Sequence, residues 1–270
     1  MRRIIDLHRF FRKLGPRGLL MYAAVHWSSK GIVTARLPFL PSPILLRRGT
    51  ADAEVFDQIF LQRQYDLRIH PQWAQLHKKY QGINTRSRTP LIVDCGANIG
   101  LSTLFFVHLF PGAKVIAIEP DPGNFEMLQR NLGSYANVVP LRGAISDLKG
   151  WATITNPSAR SWAFQVAESS PEQAGTVPTF TMEDVCNLVI DYEMLLVKID
   201  IEGGEQQLFR SNLDWLAKVP LIIIELHDWM LPWSGSSRNF FKALQDLQFD
   251  FVVAGENALF FNWESCQEAA

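Results

Sequence analysis

Apolar and polar positions change period several times along the chain, and each change marks an element. In residues 1–30, Ile4, Ile5, Leu7, Phe10, Phe11 and Leu14 are spaced for one helical face, interleaved with Arg2, Arg3, Arg9, Arg12 and Lys13. Gly15-Pro16 interrupts the pattern and Leu19 to Trp27 resumes it, which predicts one or two amphipathic helices. Residues 31–50 hold strand-like pieces broken by Pro38, Pro41 and Pro43, so they belong at a sheet edge or in a loop. Thr50 to Tyr65 reads as a helix capped by Thr50 or Asp52, with Val55, Phe56, Ile59 and Phe60 as its buried stripe. Pro71 to Tyr80 reads as another helix, and Gln81 to Pro90 as a polar linker.

From Leu91 the pattern changes to that of an α/β sheet. Apolar runs at Leu91 to Val93, Lys114 to Ile118, Val138 to Leu141, Met194 to Ile201 and Leu221 to Leu226 predict parallel strands covered on both faces. Helices are expected over Leu101 to Phe110 and Asp121 to Leu132, with right-handed crossovers. Residues 151–180 break this rhythm. Ala152 to Thr155 and Val177 to Phe180 read as strands around a loop holding Arg160, Trp162 and Phe164, an insertion over the mouth of the sheet. Thr181 caps a short helix reaching Leu188, and Phe240 to Leu247 forms another. Phe249 to Ala254 and Ala258 to Trp263 close the chain as a hairpin, leaving Glu264 to Ala270 as a frayed tail. The organisation expected is a helical and strand extension over 1–90, for docking, oligomerisation or substrate cover, followed by one α/β domain over 91–270.

Composition narrows the classes. A chain of 270 residues with 47% hydrophobic and 20% charged residues can build a sizeable core. A net charge of −1 argues against a nucleic-acid partner. Cys95, Cys186 and Cys266 have no metal-ligand spacing, which suggests a reducing compartment, hence the cytoplasm. No apolar run reaches the roughly 18 residues of a membrane span, and the N-terminus lacks a signal-peptide layout. The basic helix over 1–30 is expected to dock on the domain or on a second subunit as a homodimer contact, with peripheral contact to an anionic membrane as the alternative.

Candidate chemistry begins at Asp94 to Gly100, DCGANIG, a turn between a buried strand and a helix. Gly96 and Gly100 permit close backbone approach. A dinucleotide site wants a further glycine for the pyrophosphate, and the Asp94 carboxylate would repel one. It suits a ligand with an ammonium group, a ribose and no phosphate, as in S-adenosylmethionine (AdoMet). Glu119 ends the next strand, roughly 20 residues on, where an acid takes ribose hydroxyls. Asp147, with Ile145 as an apolar wall, is a candidate for the adenine edge, or else simply caps a turn. Lys198-Ile199-Asp200-Ile201-Glu202-Gly203-Gly204-Glu205 puts three carboxylates and an ammonium at the end of an apolar strand, which is costly unless they pair or react. Glu225 and His227 share a face at the end of another strand, and a histidine there can act as a base near neutral pH. Trp162, Phe164, Trp229 and Trp233 could stack on an acceptor.

Taken together, VDCGANIG, AIEPDPGNFEMLQRNL, GAISD, VKIDIEGGE and IIIELH resemble the FkbM-type methyltransferases, over about residues 91–230, with a weaker echo in Leu46 to Phe60. The resemblance implies a Rossmann-like class I methyltransferase sheet, mostly parallel with an antiparallel last strand, behind an α-rich extension. It implies AdoMet-dependent O-methylation of a sugar, glycan or natural-product hydroxyl. Asp94, Gly96, Asn98 and Gly100 would line the methionine part, Glu119 the ribose and Asp147 the adenine edge. Asp200 would face the methyl donor, with Glu202 nearby. His227 is the first choice of base and Asp200 the second. A magnesium ion held by Asp200, Glu202, Glu225 and His227 is an alternative way to lower the acceptor pKa. An NAD(P)-dependent oxidoreductase and a non-catalytic AdoMet-fold module are the competing classes.

Overall fold

The computed structural model describes residues 2–26, 31–154, 166–170, 173, 175–230 and 232–267. Two helices come first, α1 (Arg2–Leu14) and α2 (Pro16–His26). They cross closely at Gly18, where a Cβ would stand 2.1 Å from the Phe10 carbonyl oxygen. Phe10 is buried, with its ring edge-on to Tyr22 and tilted against Phe56. β1 (Ile32–Ala35) and β2 (Ile44–Arg47) pair antiparallel, and the three prolines fall in their connection, outside the ladder. α3 (Asp52–Phe56) runs directly into a π-helical turn, Asp57–Leu61. Of the two expected caps, the Thr50 hydroxyl accepts the Asp52 N–H at 3.3 Å, whereas Asp52 is buried and accepts two hydrogen bonds from the Arg47 guanidinium. α4 (Trp73–Thr85) takes up half of the expected linker, and Pro90 lies inside the next strand.

The remaining elements follow in order: β3 (Thr89–Cys95), α5 (Leu101–Leu109), β4 (Lys114–Glu119), α6 (Pro122–Leu132), β5 (Val138–Arg142), β6 (Ala144–Ile145), β7 (Gly150–Ile154), β8 (Val166–Ser169), β9 (Thr176–Phe180), α7 (Met182–Cys186), β10 (Tyr192–Ile199), α8 (Glu205–Leu208), β11 (Leu221–Glu225), α9 (Arg238–Leu244), β12 (Phe249–Ala254), β13 (Asn257–Asn262) and α10 (Trp263–Gln267). Asp121 caps α6 by accepting from the Asn124 N–H, and Thr181 with Asp184 forms a capping box on α7.

One sheet runs β12-β13-β11-β10-β3-β4-β5. Its strands β11, β10, β3, β4 and β5 are parallel, and β13 and β12 return antiparallel. From β3 the chain steps outward through β4 and β5, then crosses back to add β10 and β11 on the other side. Strand order therefore reverses between β3 and β10, the place where open α/β sheets bind ligands beyond their C-terminal strand ends. A smaller sheet, β6-β9-β7-β8, occupies the described part of the insertion, and Arg160, Trp162 and Phe164 lie outside the described residues.

Strand alternation sends side chains to two cores. Ile92, Val115, Leu196 and Ile223 face one that also holds Phe10, Phe56, Phe60, Phe106 and Leu259. Val93, Ile116, Val197 and Ile222 face the other, with Phe209 and Phe240. The extension is thus one wall of the core on its side of the sheet. The expected frayed tail is a helix over its first residues: Ser265 and Cys266 are buried, and the Ser265 N–H donates to Asn262. Among the described residues no helix is long and apolar enough to cross a membrane.

Candidate active site

The glycine turn leaves β3 and folds over the end of β4. The N–H groups of Gly96 and Ala97 both donate to the Ile118 carbonyl. Gly96 is obligatory here, with φ of 79° and no room for a side chain, since a Cβ would lie 1.8 Å from the Asp200 carbonyl oxygen. Asn98, also left-handed with φ of 52°, donates its N–H to Glu119 at 2.9 Å. Glu119 further accepts from the Asp121 N–H and the Asn124 amide. Burial pushes its pKa up to about 7, against those three hydrogen bonds.

Asp94 does not face the cavity as the sequence suggests. It is fully buried, accepts from the Ser102 and Thr103 hydroxyls at 2.6 and 2.7 Å, and lies 3.3 Å from the Lys198 ammonium. The positive group that its position calls for is supplied by the protein itself. Lys198 also donates to the Gly96 carbonyl at 2.6 Å and lies 3.4 Å from Asp200. Burial opposes the ammonium charge, but Asp94 and Asp200 outweigh it and hold the pKa above lysine's ordinary value. The strand partners β3 and β10 are therefore joined by charge at the edge of the cavity, below the turn.

Beyond Lys198, four carboxylates surround one histidine. His227 is 1% exposed. Its Nδ1 lies 2.7 Å from Glu205, while its Nε2 lies 3.3 Å from Glu202 and 3.6 Å from both Asp200 and Glu225. Burial lowers the imidazole pKa, yet the Glu205 hydrogen bond and the surrounding charges outweigh it and bring it up to about 9. An imidazole so protonated is a poor proton acceptor at neutral pH. Burial and the Asp200 charge push Glu202 up to about 8 and Glu225 up to about 7.

A single cavity of about 370 Å³ joins these parts. Its walls include Gly96, Asn98, Ser102, Glu119 and Ile145 around the glycine turn and the end of β4, and Asp200, Glu202, Glu225 and Trp229 beyond the ends of β10 and β11. Gly100 lies in the same turn, capping α5, and is not among the lining residues. Asp147 is likewise absent from the walls. Burial works against its charge, but hydrogen bonds from Arg210 and Ser211 win, so its pKa lies below the ordinary carboxylate value. It pairs the insertion side of the sheet to the segment after α8. Trp233 is fully exposed and away from the cavity, whereas Trp229 stands at its rim.

Several lining residues carry no signal in the linear sequence. Glu54, Gln58, Gln64 and Tyr65 come from the extension, and Glu256 and Asn257 from the final hairpin. Gln58 donates to Glu256 at 3.1 Å, tying the two. The π-helical turn contributes Gln58 and Ile59 to the wall, and such turns recur at functional sites. A π turn leaves no mark on a helical hydrophobic pattern.

The chain is similar to known methyltransferases. The family model for the methyltransferase FkbM domain matches residues 94–251, more than half of the chain. Methyltransferase sdnD of Sordaria araneosa is 35% identical over 89 residues, 33% of this chain and 32% of that protein. Hexuronic acid methyltransferase AglP of Haloferax volcanii is 28% identical over 136 residues, 50% of this chain and 54% of that protein. The 2-O-methyltransferase NoeI of Sinorhizobium fredii is 25% identical over 179 residues, 60% of this chain and 70% of that protein. The chain thus spans about a third and about half of the lengths of sdnD and AglP. Among solved structures, Aeropyrum pernix fibrillarin with natively bound S-adenosyl-L-methionine overlaps 65% of this chain and 66% of its own at 14% identity and a TM-score of 0.38.

Proposed function

This chain belongs to the FkbM methyltransferase family, and we propose that it transfers the methyl group of AdoMet to a hydroxyl of a sugar-like acceptor. The observation that carries this reading is the single cavity, which runs from the glycine turn and Glu119 to a group of carboxylates. AdoMet occupies the first half. Its ribose meets the remaining lone pair on Glu119 Oε2, its adenine lies along Ile145, and its methionine part lies over the Gly96–Asn98 turn. Asp94 acts behind that turn, through Lys198, without touching the ligand.

The acceptor occupies the second half. Its walls offer carboxylates and amides, from Glu54, Gln58, Gln64, Glu256 and Asn257, with Trp229 at the rim. Such walls match a polyhydroxylated molecule with an apolar ring face. AglP and NoeI, by their names, act on a hexuronic acid and at a 2-O position, which supports a sugar hydroxyl. Transfer is a direct displacement: the acceptor oxygen bonds the methyl carbon as the carbon–sulfur bond breaks in line. Glu225, in the cavity wall at the end of β11, takes the hydroxyl proton. His227, ringed by carboxylates, does not.

The test is a methyl-transfer assay with labelled AdoMet and a panel of sugars and glycans, with calorimetric titration by S-adenosylhomocysteine alongside. Glu225→Gln should retain S-adenosylhomocysteine binding and lose turnover by about 100-fold or more, the usual share of a general base. Folded protein that binds neither AdoMet nor S-adenosylhomocysteine would remove the methyltransferase reading. Undiminished turnover in Glu225→Gln would remove the assignment of the base.

A further inference from the structure

We propose that Asp200, Glu202 and His227 form a site for a divalent first-row cation in the acceptor half of the cavity. One ligand atom from each lies within 4.8 Å of the others. Donors at neighbouring positions around such an ion, each ~2.1 Å away, stand about 3.0 Å apart and opposite ones about 4.2 Å, so the 3.3 and 3.6 Å between Nε2 and the Glu202 and Asp200 carboxylates need only a small inward movement.

The acids alone would not make a site. The histidine does. His227 is 1% exposed, and its Nε2 makes no hydrogen bond although it points at three carboxylates, Glu202 at 3.3 Å and Asp200 and Glu225 at 3.6 Å. Glu202 Oε2, also buried, has none either. Behind the imidazole, Nδ1 is held at 2.7 Å by Glu205, itself fully buried. A carboxylate behind a histidine fixes the ring, and an ion that displaces the Nε2 proton takes that nitrogen's lone pair. Asp200 is steadied in turn by Lys198 at 3.4 Å. Glu202 is held in place by a backbone with φ of 53°, a conformation rare for any residue but glycine.

The donor set chooses the ion. One imidazole and two carboxylates suit Mn²⁺ or a neighbouring first-row ion better than Ca²⁺, which prefers oxygen alone. Asp200 and Glu202 both line the cavity, so the ion's open positions face the acceptor. Binding of the ion is independent of the reaction, but its role rests on the methyltransferase reading. The acceptor hydroxyl joins the open position and its pKa falls. Its oxygen then bonds the AdoMet methyl, the carbon–sulfur bond breaks to give S-adenosylhomocysteine, and the proton passes to Glu225.

The experiment is electron paramagnetic resonance of chelator-treated full-length protein titrated with Mn²⁺, with S-adenosylhomocysteine calorimetry on the same samples. One Mn²⁺ should bind per chain, and pulsed spectra should show coupling to one imidazole nitrogen. His227→Gln should abolish that coupling, and Glu202→Gln should weaken binding at least about 10-fold, with S-adenosylhomocysteine affinity unchanged in both. Glu205→Gln, which removes only the positioning residue, should weaken binding about 10–100-fold. Wild-type protein that takes up no Mn²⁺ at millimolar concentration, or binds it with no nitrogen coupling, overturns the site without recourse to any variant. Mn²⁺ binding without S-adenosylhomocysteine binding would keep the metal site and remove the methyltransferase reading.

Discussion

Replacing Lys198 would strand two carboxylates. Its ammonium lies against Asp94 and Asp200 and also bonds the Gly96 carbonyl; Lys198 and Asp94 are buried, and Asp200 is partly exposed at the cavity. Lys198→Met should therefore cost about 3–5 kcal/mol, the usual penalty for leaving one partner of a buried pair. Adding Asp94→Asn to that variant should restore part of the loss, because it removes the charge left alone. Urea unfolding of both proteins measures this, and a single substitution costing under ~1 kcal/mol would contradict it. At Glu119 the sign of the pH dependence is fixed by burial. Its folded pKa of about 7 exceeds the ordinary 4.5. As pH rises through that window the unfolded chain releases its proton before the folded one does, so this group's contribution to stability falls. Wild type should lose on the order of 2 kcal/mol relative to Glu119→Gln between about pH 5 and about pH 7.5. Equal urea midpoints relative to the variant at both values would exclude the raised pKa.

At the scale of elements, α1 is held to the rest of the molecule by Phe10 and Arg9 among its described side chains. Phe10 fills the space between Tyr22 and Phe56, and Arg9 pairs with Asp57 at the start of the π turn. Phe10→Ala should cost about 3–5 kcal/mol as a buried aromatic truncation. Because Gln58 and Ile59 of that turn line the cavity, the same variant should raise KM for the acceptor more than it weakens AdoMet binding. Thermal melts and the two titrations decide it. Elements of this kind also explain what the sequence makes legible. β3, β4, β10 and β11 are continuous apolar runs covered on both faces, so they stand out. The glycine turn and the acid beyond it, which line the cavity, are legible because they form one local unit, from Gly96 to Glu119. Charge partners are less so: no spacing rule tells that Lys198, about 100 residues on, would cover Asp94 or that Arg210 would engage Asp147. The walls from the extension and the hairpin are least legible, since Glu54, Gln58, Gln64 and Asn257 meet only after the sheet and its final hairpin are assembled. α10 was hidden by its polar composition, although Cys266 is buried.

Seen as a whole, the molecule has a sheet whose one face is closed by residues that precede it in the chain. Phe56 and Phe60 share a core with Phe105, Phe106 and Phe110, and also with Leu259 and Phe261 near the other end. Synthesis proceeds from the N-terminus at about 5–20 residues per second. The aromatic side chains of the extension are thus made seconds before α5 exists to receive them, and longer still before β13 does. During that interval they form an apolar surface on the nascent chain with nothing to cover it. The segment that walls the acceptor half of the cavity is for the same reason apolar surface that waits, while the chain is being made, for the strands and helices that will cover it.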